Sequence, residues 1–167
     1  SSGALSNVAS ISIKIDPVND LPVISSAIND VAMNEDSSSS VLVTSQTITD
    51  SFTDSDGDIL TYSAALSNGN SLPSWLTINS VTGEIISNVP SNDDIGDYII
   101  NVTATDTLNA SISQSFTITV NNVNDLPTSQ AVTVAANEDL AGQVITSSFN
   151  ANDVDILDSL TFTILTN

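Results

Sequence analysis

Residues 98–104 read YIINVTA and residues 112–120 read ISQSFTITV. Apolar residues recur at every second position, at 98, 100, 102 and 104 and again at 116, 118 and 120, whereas Asn or Thr occupies 101, 103 and 105 and Ser or Thr occupies 113, 115, 117 and 119. Successive side chains of an extended chain point to opposite sides, so this period of two separates an apolar face from a polar one. The two stretches therefore predict two half-buried β-strands.

Further short strands are predicted between clusters of turn-forming residues. They are expected at Val41–Thr49, Ile59–Leu66, Trp75–Ile78 and Glu84–Ser87, after a leading strand within Val23–Met33, and Ala9–Ile15 repeats the pattern of the last strand. No segment has a helical period. About seven strands predict an all-β, immunoglobulin-like Greek-key sandwich. The lone tryptophan, Trp75, is expected in the core, with sugar stacking as the alternative.

The chain contains an internal repeat. Residues 11–22 read ISIKIDPVNDLP and residues 116–127 read FTITVNNVNDLP, and their final prolines lie 105 positions apart. NED recurs at 34–36 and 137–139, and DSDGDILTY at 54–62 pairs with DVDILDSLTF at 153–162. Such periodicity predicts tandem modules. We expect the last strand and linker of one repeat at 1–20, a complete repeat at 21–125 and the first part of another at 126–167.

The charge of the chain is strongly one-sided. Twenty acidic residues stand against one basic residue, Lys14, for a net charge of −19. This charge disfavours nucleic acid and anionic membranes as partners and favours cations, which would offset repulsion between crowded carboxylates. Adaptation to saline surroundings is the alternative. No apolar run is long enough to insert into a membrane, and residues 1–10 lack the features of a signal peptide, so we expect an interior piece of a longer protein.

The chain has neither cysteine nor histidine. Thiolate zinc sites, Cys–His nucleophile pairs and imidazole bases are therefore excluded. Paired carboxylates alone can perform acid–base chemistry, but here they lie at strand ends beside turns, with no sign of a substrate cleft. We therefore expect that the protein is not an enzyme.

Residues 54–58, DSDGD, place three carboxylates at alternate positions beside a glycine. Ca²⁺ takes six to eight oxygen ligands, which acidic loops can supply, so Asp54, Asp56 and Asp58 are predicted ligands. The alternative is a simple turn, which Asp and Gly also favour. The other candidate ligands, at strand ends and repeated positions, are Asn19, Asp20, Glu35, Asp36, Asp93, Asp106, Asn124, Asp125, Glu138, Asp153 and Asp155, with Asp158 also available.

Four motifs occur in a fixed order: TDSDGDILTYSA, LPSWLTINSVTGEI, VPSNDDIGDYIINVTATD and FTITVNNVNDLP. Together they resemble the dystroglycan-type cadherin-like repeat of large bacterial surface adhesins and secreted proteins, over the whole central module. The resemblance implies a cadherin-like sandwich with calcium at the junctions between modules. It places Glu35 at the end of the first strand, Asp54 and Asp56 in the paired-acid motif, Asp93 at the position of a cadherin glutamate, Asp106 after the penultimate strand, and Asn124 and Asp125 in the linker.

Two departures from the cadherin linker matter. The linker is one residue shorter, and its leading acid is replaced by Pro17 in one copy and Asn122 in the other. We therefore expect the junctions to hold fewer ions than in the resembled family, or to bind them more weakly.

The sequence thus predicts a calcium-stiffened structural or adhesive repeat of a long extracellular, cell-surface or secreted protein. Its expected partners are calcium ions and neighbouring repeats of the same chain. Head-to-tail assembly of chains into a fibre by β-strand complementation is one alternative. Binding of surface polysaccharides is another, although aromatic residues make up only 4% of the chain. Homotypic contacts between chains are also compatible with the sequence.

Overall fold

The protein is described by a computed structural model that covers residues 3, 10–132, 150–155 and 158–163. Short strands dominate it, with one α-helix and one turn of 3-10 helix at Asn92–Asp94. The elements are β1 (Val23–Ile24), β2 (Val31–Asn34), β3 (Ser40–Val43), α1 (Ser45–Ser51), β4 (Phe52–Thr53), β5 (Thr61–Leu66), β6 (Leu76–Ile78), β7 (Ile85–Ser87), β8 (Gly96–Thr105), β9 (Ser111–Asn121), β10 (Thr128–Ser129) and β11 (Ala151–Asn152).

Seven strands form two main sheets. One sheet has four strands in the order β2-β9-β8-β5, and the other has three in the order β3-β7-β6. β8 and β9 form a long antiparallel hairpin, whereas β2 runs parallel to β9. Two-residue pairings join β1 to β4 and β10 to β11. This arrangement confirms the predicted all-β, immunoglobulin-like sandwich.

The core lies between the two sheets, and the period-two positions of the long hairpin supply much of it. As predicted, the apolar residues of β8 and β9 alternate in burial with their polar neighbours. Trp75 is 3% exposed and packs edge-on against Tyr98, with ring centroids 5.2 Å apart. Trp75 is therefore a core residue and is not available to stack on a sugar. The buried members of the hairpin are Ile100, Val102, Ala104, Phe116, Ile118 and Val120.

The predicted strand Val41–Thr49 was wrong beyond Val43, because the chain turns into the helix α1. Thr44 caps this helix: its Oγ1 accepts a hydrogen bond from Thr47 N at 3.2 Å. Ile48 is completely buried and is the helix's one buried apolar residue. A seven-residue helix with a single buried apolar side chain has no detectable helical period, so the sequence did not reveal it.

The leading segment, predicted as one strand within Val23–Met33, forms two short strands. It divides into β1, which pairs with β4, and β2, which pairs with β9. Over residues 10–15 the predicted strand is not formed, and Ile11 and Ile13 are 87% and 83% exposed. A half-buried strand needs a sheet to cover its apolar face, and none of the described residues pairs with this segment. No helix in the described ranges is both long and apolar enough to cross a membrane.

Candidate metal centre

Three carboxylates from two loops meet at one end of the sandwich. Asp54 and Asp58 lie between β4 and β5, and Asp106 follows β8. One carboxylate oxygen of each lies within 4.8 Å of the others, and Asp106 is buried. We call this group the first cluster. It brings together two predicted ligands from residues 54–58 and a third that lies 48 positions or more away in the sequence.

The backbone of the first loop folds around the side chain of Asp54. Its Oδ1 accepts hydrogen bonds from Asp56 N at 2.8 Å and Asp58 N at 3.4 Å. Gly57 has a φ of 77°, a left-handed conformation that a glycine adopts without strain. The second oxygen of Asp54, Oδ2, is buried and has no hydrogen-bond partner. The turn therefore uses one oxygen of this carboxylate and leaves the other free.

Asp106 is held by many donors. Its Oδ2 accepts from Asn19 Nδ2 at 2.8 Å, and its Oδ1 accepts from Leu108 N at 2.9 Å and Ala110 N at 2.8 Å. The hydrogen bond from Asn19, joined by those from the backbone of the following turn, lowers the pKa of Asp106 despite the opposing effect of burial. Asp106 is therefore a carboxylate at neutral pH.

The linker before the sandwich docks onto this cluster. Besides the bond from Asn19 to Asp106, the backbone N of Asp20 donates to Asp56 Oδ2 at 2.7 Å. Asn19 Nδ2 also donates to the carbonyl of Asp20 at 3.0 Å. Asp56 is therefore bound by the linker. It lies outside the first cluster, although it is in the same loop.

A second cluster repeats this pattern. Asp153, Asp155 and Asp158 bring one oxygen each within 4.8 Å of one another. Asp125 N donates to Asp155 Oδ2 at 2.7 Å, and Asp155 N donates to Asp153 Oδ1 at 3.0 Å. Asn124 Nδ2 donates to the carbonyl of Asp125 at 2.8 Å, as Asn19 does to Asp20. The sequence repeat is therefore also a repeat of hydrogen bonds.

The opposite end of the sandwich contributes to this second site. Asn92 Nδ2 lies 3.2 Å from Asp125 Oδ2 and 3.5 Å from Asp155 Oδ1. Asp93, on the same turn, is exposed and faces an open cleft of about 620 Å³. The cleft is lined by Asn92, Asp93, Ile95, Asn122, Val154, Asp155 and Asp158.

Glu35 is the second carboxylate with a free buried oxygen. It is 1% exposed, its backbone N donates to Asn121 O at 3.0 Å, and its Oε1 accepts from Val123 N at 2.9 Å. Its Oε2 is buried without a hydrogen-bond partner. Glu35 therefore fastens the start of the second linker while keeping one oxygen unused.

The predicted ligands thus divide into four groups. Those of the two acidic loops and the linkers come together as described. Glu35 and Asp93 lie in neither cluster, since Glu35 bonds to the start of the second linker and Asp93 lines the cleft. Asp36 is exposed, has a φ of 55° and belongs to neither described cluster. Glu138 lies outside the described residues. Asn92 was not among the predicted ligands, and its one signal in the sequence is its place in an Asn-Asp-Asp turn two residues before β8.

The chemistry of both clusters is that of hard oxygen donors. An unpaired buried carboxylate oxygen is unfavourable, and two such atoms are Asp54 Oδ2 in the first cluster and Glu35 Oε2, which lies outside both clusters beside the start of the second linker. A divalent cation would supply the missing partner and would reduce repulsion among the carboxylates. The residues therefore fit Ca²⁺, which accepts carboxylate and amide oxygens in flexible geometry.

Comparison with known proteins shows which domains share this fold. A family model described as "Putative Ig domain" matches residues 21–121. Among solved structures, Drosophila N-cadherin EC1-4 superposes with a TM-score of 0.55 at 18% identity, over 68% of this chain and 28% of that one. Human protocadherin-24 EC1-2 superposes with a TM-score of 0.53 at 21% identity, over 83% and 63%.

A third structure, human mucin-like protocadherin EC1-2, gives a TM-score of 0.50 at 14% identity, over 64% of this chain and 56% of that one. The chain therefore spans less than two thirds of each of these three structures. A search of curated protein sequences finds no match. At these identities the likeness shows a shared fold, which is that of cadherin domains.

Proposed function

We propose that this chain, which belongs to the family described as "Putative Ig domain", is a calcium-binding structural repeat of a long extracellular surface protein, and not an enzyme. Residues 21–125 are its complete repeat, and 1–20 and 126–167 belong to the repeats on either side. Calcium at the two junctions holds successive repeats in line. Membership of the dystroglycan-type repeats of bacterial adhesins remains a prediction.

The observation that carries this proposal is the unpaired Oδ2 of Asp54 within the first cluster. A simple turn accounts for Asp54 Oδ1, which accepts from the backbone N of Asp56 and of Asp58. It does not account for a second oxygen that is buried among carboxylates without a donor, since such an atom loses its hydration and gains nothing. A cation ligand accounts for both oxygens.

The residues that would hold the ion at the first junction are Asp54, Asp58 and Asp106, with Asn19 and Asp56 beside them. At the second junction they are Asp153, Asp155 and Asp158, with Glu35, Asp93 and Asp125 at the adjoining end of the central repeat. Bound Ca²⁺ supplies positive charge that these carboxylates lack. Ions that bind the aligned, folded pair more tightly than the unfolded chain stabilise alignment by mass action.

The test is calcium binding by isothermal titration calorimetry and thermal unfolding, each with matched variants. Asp54→Asn keeps an oxygen for the turn and removes the free one, so we expect the first junction to lose its calcium-dependent stabilisation. Glu35→Gln should do the same at the second junction. In chelator both variants should be at least as stable as the parent chain, because each removes a buried unpaired oxygen of a charged group.

Asp30→Asn is the control, because it changes the net charge equally. Asp30 is exposed, lies in neither cluster, and uses Oδ1 to accept from Thr117 N at 2.7 Å, which Asn also can do. Its calcium response should equal that of the parent chain. A parent chain that binds no calcium, or an Asp54→Asn variant that binds as much, would refute the proposal.

A further inference from the structure

Residues 26–35 form an edge segment that has one neighbour in its sheet. β2 lies at the edge of the four-stranded sheet and pairs in parallel with β9. The register runs from Val31 opposite Ile118 to Asn34 opposite Asn121. A four-residue parallel ladder is short, and parallel pairing is slightly weaker per residue than antiparallel pairing.

Two side chains extend this ladder before β2 begins. Gln114 Oε1 accepts from Ile28 N at 3.1 Å, and Gln114 Nε2 donates to Ser26 O at 3.2 Å. Asp30 Oδ1 accepts from Thr117 N at 2.7 Å. These groups take the place of backbone partners where residues 26–30 are not in strand conformation.

Glu35 extends the ladder after β2 ends. Its backbone N donates to Asn121 O and its Oε1 accepts from Val123 N. The partners of the side-chain bonds lie 86 to 88 positions apart in the sequence throughout. The contact therefore runs in one register from Ser26 beside Gln114 to Glu35 beside Val123.

The chain enters and leaves the sandwich at opposite ends of this contact. Asn19 bonds to Asp106 next to the β8–β9 hairpin turn, whereas Val123 follows the far end of β9. β9 has 11 residues, a length of about 36 Å at the usual rise of a strand. Tension along the chain pulls residues 26–35 toward the hairpin turn and β9 away from it. Because the two segments are parallel, this load is shear, and their bonds are strained together instead of one after another.

We infer that residues 26–35 and β9 form a shear clamp through which the module carries tension along the chain. Gln114, Asp30 and Glu35 are its positioning residues. The inference deepens the proposed structural role but does not depend on calcium, since the bonds that carry it lie within the module. Forced unfolding is governed by the unfolding rate, so bonds that cross the sheared contact set the resistance.

The first test compares two pulling directions by single-molecule force spectroscopy in chelator. The chain has no cysteine, so Ser10→Cys with Leu126→Cys applies force along the clamp, and Ser10→Cys with Leu108→Cys applies it at one end. Leu126 and Leu108 are 86% and 67% exposed, so both accept a handle. We expect a higher unfolding force along the clamp. Equal forces in the two directions would overturn the inference, whereas failure of calcium binding would not affect it.

The second test removes bonds on either side of β9. Asp30→Ala with Gln114→Ala deletes bonds to residues 26–30, and Ser115→Ala with Thr119→Val deletes bonds of 2.7 Å from β9 to Asn101 and Asp97 of β8. Pulled along the clamp at constant force, the first pair should unfold on the order of tenfold faster than the parent chain, as expected when one or two of the three deleted hydrogen bonds contribute to the barrier. The second pair should change this rate far less. Equal acceleration by both pairs would contradict the clamp.

Discussion

At the scale of single residues, the two ends of the sandwich depend on carboxylates that have two separate tasks. Asp54 folds its own loop with one oxygen and leaves the other free, and Glu35 fastens the following linker in the same divided way. Asp106 differs, because both of its oxygens are hydrogen-bonded. Its hydrogen bonds stabilise the charged form, so protonation of Asp106 lowers the stability of the folded protein.

The lowered pKa of Asp106 predicts how the stability of the metal-free protein changes at acid pH. Because the folded-state pKa of Asp106 is lowered from its ordinary value of 3.8, its contribution to stability is complete above that value and is lost as the pH falls through the lower folded pKa. Asn19→Ala removes the largest cause, so the pKa of Asp106 should rise toward 3.8. An NMR titration of the side-chain carboxyl in chelator measures it.

The control for this titration is Asn68→Ala, which removes an exposed amide that accepts from Asn70 N in a different turn. It should leave the pKa of Asp106 unchanged. An Asn19→Ala variant with the parent value would show that the linker does not hold this carboxylate.

At the scale of elements, the well-predicted strands are the two with a long polar–apolar alternation and the short ones between turn signals, since Trp75–Ile78 contains β6 and Glu84–Ser87 contains β7. The predictions of 98–104 and 112–120 lie inside β8 and β9, and Ile59–Leu66 contains β5. The helix α1 escaped prediction because its formation depends on Ile48 packing in the sandwich. The ligand candidates were readable as acids at strand ends, but pairwise contacts such as Asn92 with Asp125 depend on the docking of a linker, which local sequence does not determine.

The docking of α1 depends on Gly83. This glycine has a φ of 71°, and a Cβ placed there would lie 2.3 Å from Ile48 Cγ2. Gly83→Ala therefore combines left-handed strain with a collision in the core, and should destabilise the protein by about 3 kcal/mol or more in urea unfolding. Gly69→Ala is the matched control, with a φ of 87° and open space around it, and should cost roughly 1–2 kcal/mol.

A double-mutant cycle separates the two effects at Gly83. Ile48→Ala removes Cγ2 but keeps Cβ, which would lie 2.9 Å from the added Cβ, so in that background Gly83→Ala should cost less than in the parent chain and still more than Gly69→Ala. Equal costs of the two glycine substitutions in the parent chain would show that the collision is relieved without penalty.

At the scale of the whole molecule, the net charge of −19 acts against compactness. The single ion pair among the described residues joins Lys14 to Asp16, and both side chains are exposed, so it contributes little. Ion pairs among the described residues therefore contribute little to stability, and cations that screen the carboxylates would increase it.

Melting temperature and small-angle scattering test this dependence together. In chelator, added NaCl should raise the melting temperature gradually by screening the carboxylates. A few millimolar calcium should raise it more than NaCl of equal ionic strength, and should give a more extended and stiffer particle. Equal effects of the two salts would mean that the acidic loops are solvated turns that attract ions without binding them specifically.

The bond from the linker to the following loop has a further geometric consequence. Asp20 N to Asp56 Oδ2 and Asp125 N to Asp155 Oδ2 measure the same 2.7 Å. When one joint recurs, each unit is related to the next by a fixed rotation and a fixed advance, and repeated application of that operation generates a helix. The pitch of such an array would be encoded in a linker of a few residues. Lengthening that linker by one residue in every repeat would change the rotation and the advance between repeats, and so the pitch of the array, without altering any single sandwich.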